Sequence, residues 1–332
     1  MTPEPWIDRL RVWGALAVVA LHVSGFPFRA YRGQLSWEWL NANLWNSGTR
    51  WAVPTYVVLS GYLLLSPHRR EGALLFWRRR ASRIAIPLLF WGTAYALWNG
   101  VRTLPGLLHA VLGADASYHL WFLYMLAVLY AVTPLLRVAL ERLPLPWRVA
   151  LCAACFAVTL HVPGVPPLLQ VEVLPRWLEL AAPYFGYFLL GGLLSRQKPG
   201  HRVAMPFLLV ALSLVVTVVG TACLVGLRHS TASRAFQDAA SPNVIALASS
   251  LCVLARNAQG RFPGAKLQGL APAVLGVYLV HPLFIDLMWA VGWPVERLPA
   301  LLGVPLLSAV VALLSLLTVL LLRRTPLLQR TV

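Results

Sequence analysis

Three groups of residues carry chemistry that a strongly apolar chain has little reason to hold. The first is Arg11 with His22. Eleven positions apart, they fall within about 20° of each other around a helix and about 16 Å apart along it. One helical face then presents a cation at the edge of a membrane and a titratable imidazole deep inside. An ordinary pKa of about 6.5 suits His22 to general base chemistry near neutral pH. The same imidazole equally suits a structural role, bonding a backbone carbonyl or capping a neighbouring helix, and spacing leaves both readings open.

The second group is Arg80 and Arg83, which share a helix face and could hold a phosphate-bearing ligand between two guanidinium forks. They belong to a run with Arg69, Arg70, Arg78 and Arg79 that is also a topology signal. The third is His281, directly before Pro282 and five residues before Asp286. Pro282 frees carbonyls in the turn before it, so His281 either satisfies one of them or supports a site. Ser60-Gly61 adds a small, hydrogen-bonding spot that serves either helix packing or close approach of a ligand. His119, Trp121 and Tyr124 open a further apolar segment, where Trp121 is equally an interfacial anchor.

These residues must be positioned by membrane helices. Of 332 residues, 59% are hydrophobic and 12% charged, with a mean hydropathy of +0.69. That composition excludes a soluble globular domain and predicts an all-α, polytopic bundle of about ten transmembrane helices in one domain over 1–332. The formal charge of +17 sits in short clusters between apolar segments rather than in one stripe, which argues for topology signals and an anionic ligand, not nucleic acid. Cys152 and Cys155 have no second pair, and Cys223 and Cys252 also lie in apolar runs. Neither a zinc site nor a disulfide framework is expected.

The expected spans cover residues 7–28, 51–65, 84–101, 119–136, 149–161, 181–194, 203–227, 244–254, 271–290 and 300–322. Residues 29–50 read as a Trp-rich interfacial loop with Ser47 as a possible helix cap, and Pro54 is expected to leave a carbonyl unpartnered in the second span. The proline-rich stretch 162–179 reads as ordered turns, 228–242 as a polar loop and 256–266 as a basic one. The first span has no small-x-small cleavage site after it and is expected to remain as an anchor. With the N-terminus in the cytoplasm, roughly 20 of the 28 Lys and Arg residues fall on cytoplasmic segments and roughly 8 on the other side. Both termini are therefore expected inside, with His22 toward the outer half of the bilayer. No internal repeat is visible.

Five stretches occur in a telling order: IDRLRVWGALAVVALHV, NSGTRWAVPTYVVLSGYLL, RRRASRIAIP, HLWFLYMLAVLYAVTPLL and LGVYLVHPLF. Through them the chain resembles the membrane-bound acyltransferase-3 family over nearly its whole length, and most closely the enterobacterial common antigen O-acetyltransferase type. The resemblance implies that Arg11 and His22 are the catalytic signature, that Arg80 and Arg83 bind the acyl-CoA donor, and that Ser60-Gly61 is the family's Ser-Gly. It also implies an acetyl group, a bacterial inner membrane and a glycan or lipid-linked sugar as acceptor. A fused extracytoplasmic domain carried by some relatives is not expected here, and no metal is implied.

Acyl transfer from a thioester needs a base for the hydroxyl, a donor for the developing oxyanion and cations for the coenzyme A phosphates. The expectation is that coenzyme A docks against Arg80, Arg83 and Arg11 while His22 either activates the hydroxyl or briefly carries the acetyl group. Ser60, His119 and Tyr124 are candidates for the oxyanion donor, and no residue orienting His22 is evident. The competing class is a transporter or flippase of lipid-linked sugars, which proline-broken spans and intramembrane histidines also fit. Loss of acetyl-CoA binding on substituting Arg80 and Arg83 separates the two.

Overall fold

A computed structural model describes residues 4–68, 71–162, 174–228, 235–258, 269–290 and 298–332. Arg69, Arg70, Pro163, Pro166, Pro167, and parts of the polar and basic loops expected at 228–242 and 256–266 lie outside the described residues. The regular structure of the described residues is all helical, and contacts divide the chain into two compact units.

The first unit comprises Met1–Leu59, Leu160–Pro166 and Lys198–Val319. Its leading helix α1, Pro5–Arg29, starts with a proline in the first turn, where no backbone N–H is needed, and with Asp8 against the positive end of the dipole. After a short turn comes α2, Trp37–Gly48, whose first turn is closed by Ser36: its Oγ accepts from the Trp39 N–H at 3.2 Å. Residues 29–50 are thus largely a helix rather than the expected loop. Ser47 lies inside that helix and donates to Asn43 Oδ1 at 2.7 Å instead of capping anything. The sequence signal was Ser36, followed by Glu38 in the first turn; the tryptophans hid it by reading as an interface.

α3, Ala52–Leu64, begins so soon after α2 that Pro54 falls in its first turn, where it is tolerated rather than disruptive. The unit is completed by α10, Ala204–Arg228, which packs on α2 and on α11, Pro242–Asn257, and by α12, Val274–Ala290, which lies along α1. Val19, Val23, Phe28, Trp39, Val225, Ile285, Val304 and Leu307 form its buried core, the last two from α13, Ala300–Leu322.

The second unit comprises Ser60–Thr159, Pro167–Gln197 and Leu320–Val332. In it α4, Ala73–Trp98, packs against α5, Leu104–Leu112, and α6, Trp121–Arg142. α6 meets α8, Arg176–Ala181, and α7, Leu145–Thr159, meets α9, Phe185–Leu194. Gly61 has a backbone reason to be glycine: a Cβ there would come within 1.9 Å of the Phe188 carbonyl oxygen. The packing reading of Ser60-Gly61 therefore has direct support.

Six described helical stretches are long and apolar enough to cross a membrane: Pro5–Arg29, Trp121–Arg142, Arg176–Leu194, Ala204–Arg228, Ala271–Ala290 and Ala300–Leu322. The other four expected spans correspond to α3, α4, α7 and α11. With 13, 15 and 16 residues, α3, α7 and α11 fall short of the ~20 residues of a full crossing. α4 has 26 residues but carries Arg78, Arg79, Arg80 and Arg83 in its first half.

Candidate active site

The proline at 282 organises the first unit's chemistry. Lacking an N–H, it leaves the Tyr278 carbonyl four residues earlier without a helical donor. His281 supplies one: its Nδ1 lies 2.6 Å from that oxygen and 3.3 Å from the Val277 carbonyl oxygen. Its other ring nitrogen, Nε2, lies 2.7 Å from Nδ1 of His22, and the rings are nearly parallel, 10° apart with centroids at 5.0 Å. The tautomers follow from this network. Because His281 donates through Nδ1, its neutral ring accepts through Nε2. His22 must then donate through Nδ1, which places its own lone pair on Nε2. His281 is fully buried, whereas His22 keeps some accessible surface.

His281 thus bonds both the freed carbonyl and His22. The carbonyl freed by Pro282 is satisfied, and that bond is what prepares the opposite nitrogen to orient His22. The residue orienting His22, which sequence reasoning missed, was in view as the motif His281-Pro282, but nothing local said that α12 lies along α1.

Sequence reasoning also missed a polar cage beside His22. Asn46 of α2 donates through Nδ2 to the Leu21 carbonyl oxygen and to Ser24 Oγ, each at 3.2 Å, so it grips α1 on both sides of His22 in sequence. Arg50 donates to Asn46 Oδ1 and, at 2.8 Å, to Gln237 Oε1. The i,i+4 spacing of Asn46 and Arg50 was the available signal.

Arg11 is not brought to His22. It pairs with Asp8 at 3.3 Å near the start of α1 with its side chain 36% exposed. The helix is pinned there by Tyr56, whose hydroxyl donates to the Arg11 carbonyl oxygen at 2.6 Å, and Gly14 makes room for that ring.

In the second unit Arg80 and Arg83 are brought together as expected. With Glu71, Arg79 and Ser82 they line a cleft of about 450 Å³. Glu71 links Arg79 at 3.4 Å to the buried Arg137 at 3.5 Å, and Arg137 is held further by the Leu64 carbonyl oxygen at 2.7 Å and the face of Phe76. The cleft therefore presents several guanidiniums against one carboxylate, an electrostatic bias toward anions. His119 is buried, with Nδ1 2.9 Å from Ser117 Oγ and its ring on the edge of Tyr95. Trp121 packs on Tyr184, and the Tyr124 hydroxyl donates to the Val111 carbonyl oxygen. Each of these contacts is within the second unit. Ser60 sits half-buried on α3 beside Gly61.

A family model described as an acyltransferase domain matches residues 4–324. The chain belongs to the acyltransferase-3 family. No match was found among curated proteins or among solved structures. With six long apolar helical stretches among the described residues, this acyltransferase is a multi-pass membrane protein. An imidazole with a lone pair on Nε2 can accept a proton, and a cleft rich in guanidinium can seat an anion.

Proposed function

We propose that the chain moves an acetyl group from acetyl-CoA to a hydroxyl of a cell-envelope or exported polysaccharide, or of a lipid-linked sugar, in the bacterial inner membrane. The observation that carries this reading is the pair His22–His281. Nε2 of His22 takes the hydroxyl proton as the oxygen attacks the thioester, and the imidazolium that forms keeps its Nδ1–H bonded to His281. Arg80 and Arg83 hold the coenzyme A phosphates in their cleft. Arg11, at the far end of α1, serves the anionic donor rather than the reacting atoms. The distribution of cations favours cytoplasmic termini, which suits a donor supplied from the cytoplasm.

The test is transfer from labelled acetyl-CoA in membranes containing the wild type or His22→Ala at matched abundance, with envelope glycan as acceptor. Label in glycan with the wild type alone supports the reading. Equal transfer by both removes His22 from the mechanism. No transfer by either, together with flux of a sugar lipid, replaces the reading by a transporter.

A further inference from the structure

Beyond His22 the same face of α1 carries Phe26 and Arg29. The three lie within roughly 60° of one another around the helix, with Phe26 about 6 Å and Arg29 about 10 Å further along it than His22. All three keep accessible surface, whereas Val23, Ser24, Gly25, Pro27 and Phe28 between them are buried. This opening is not the outer side of the helix. The exposed Trp13 and Leu16 mark that side, centred roughly 140° around α1 from the trio.

α12 runs along α1 in the same direction, since His281 meets His22 and, eight residues later, Trp289 meets Phe26. The Phe26 and Trp289 ring centroids are 4.8 Å apart with planes tilted by 42°, and Trp289 is 40% exposed. The two rings therefore make one accessible apolar wall, a helical turn beyond His22.

Arg29 completes the wall, and its direction is informative. An arginine at the end of a membrane helix ordinarily stretches toward the aqueous surface. This one folds back along α1, with Cζ 5.2 Å from the centre of the Phe26 ring. Gly25 lets it do so: a Cβ there would lie 3.1 Å from Nη1 of Arg29, and the three atoms nearest to it would all belong to that guanidinium. Among the described residues Arg29 has no carboxylate partner.

We infer that Phe26, Trp289 and Arg29 form the acceptor subsite, and that the acceptor is an anionic sugar. The apolar C–H face of the sugar ring packs on the aromatic wall, while a carboxylate or phosphate carried by that sugar pairs with the Arg29 guanidinium. The inference rests on the proposed transfer to a glycan hydroxyl, and it adds the charge of the acceptor and the place where it sits. A sugar on this wall presents its hydroxyls to the imidazole one turn, about 5.4 Å, back along α1. Gly25 is a positioning residue for Arg29.

The experiment measures transfer from labelled acetyl-CoA by the full chain in membranes, with envelope glycan as acceptor in three forms: untreated, carboxyl-reduced, and stripped of phosphate by mild hydrofluoric acid. With untreated glycan, Arg29→Gln raises the acceptor KM about 10-fold or more, the loss of one charge-assisted pair, while the KM for acetyl-CoA changes less than twofold. In the wild type one of the two treatments raises the acceptor KM to the same extent, and on that glycan Arg29→Gln adds nothing further. Sensitivity to reduction identifies a carboxylate as the bound anion, and sensitivity to hydrofluoric acid a phosphate. Gly25→Ala, whose methyl meets the guanidinium first, also raises the acceptor KM for untreated glycan. Trp289→Ala raises it for every form, and Trp289→Phe restores part of the loss. An Arg29 that only anchors α1 or holds a phospholipid headgroup gives a different pattern: Arg29→Gln lowers Tm or shifts both KM values alike, whatever the glycan. That pattern, or a wild type indifferent to both treatments, overturns the inference and leaves His22 and His281 in place. A wild type that transfers nothing from acetyl-CoA to any form removes the proposed function and this inference with it.

Discussion

The imidazole of His281 accepts the Nδ1–H of His22 across 2.7 Å while donating its own Nδ1–H to the Tyr278 carbonyl oxygen. A backbone defect made by Pro282 thereby sets the tautomer of a ring on another helix. His281→Ala removes both bonds and is expected to lower turnover by on the order of 10²-fold, the low end of what general base catalysis supplies. His281→Gln, whose amide oxygen can accept from His22, retains more activity than the alanine variant. Initial rates at matched abundance check the order, and equal rates for both variants would deny His281 any orienting role.

The guanidiniums of the cleft should act on donor affinity rather than on turnover. Arg80→Ala and Arg83→Ala each forfeit a charge-assisted bond to phosphate and should raise the KM for acetyl-CoA about 10-fold or more with kcat nearly unchanged. Lysine at either position restores part of the loss, since it keeps charge but not the bidentate fork. Salt should weaken donor binding in the wild type more than in either variant.

Glu71 is the carboxylate in that same cleft, tied to Arg79 and Arg137. Its neutral isostere, Glu71→Gln, removes a repulsion for any anionic ligand, and donor KM should fall. Arg137→Leu acts differently. Arg137 is buried against Glu71, the Leu64 carbonyl and Phe76, so its loss takes from a mostly buried carboxylate its buried partner and leaves it the exposed Arg79. The expected cost is about 3–5 kcal/mol, read as a lower Tm in detergent and lower abundance.

Gly61→Ala separates packing from chemistry. The added methyl meets the Phe188 carbonyl at a separation no pair of atoms tolerates, so α3 and α9 must move apart. Abundance and Tm should drop well before turnover per folded molecule does. Ser60→Ala, with no comparable clash, should leave Tm within a degree or two and so report on any role of its hydroxyl in transfer.

Tyr56→Phe removes one hydroxyl bond to the Arg11 carbonyl and keeps the ring beside Gly14. The expectation is a loss of about 1 kcal/mol in stability, measured by thermal unfolding, with rates unchanged. A large fall in turnover instead would mean that the exact seating of α1 reaches His22.

Whatever depends on composition and local spacing was legible along the chain. Apolar runs of membrane length predicted helices whose bounds the structure reproduces within a few residues at 5–29, 204–228 and 300–322, because burial of a continuous apolar stretch is a local property. Arg80 and Arg83 were placed on one face by the helical period and do line one cleft. The same local logic failed at 29–50, where tryptophan density outweighed the cap at Ser36 and concealed α2.

Relationships that join distant segments came from the fold alone. His22 and His281 are 259 positions apart, Arg50 and Gln237 are 187 apart, and no period or motif connects either pair. The sequence offered Arg11 as the partner of His22 since one helix carries both, yet about 16 Å of rise separates them and Arg11 pairs with Asp8 instead. Packing α12 along α1 brings a histidine and the proline-freed carbonyl it satisfies to His22, and packing α2 between α1 and α10 sets Asn46 against the turn of α1 that carries His22. Hydrogen bonds reach about 3 Å, so which groups meet is settled by how helices pack and not by what they are made of.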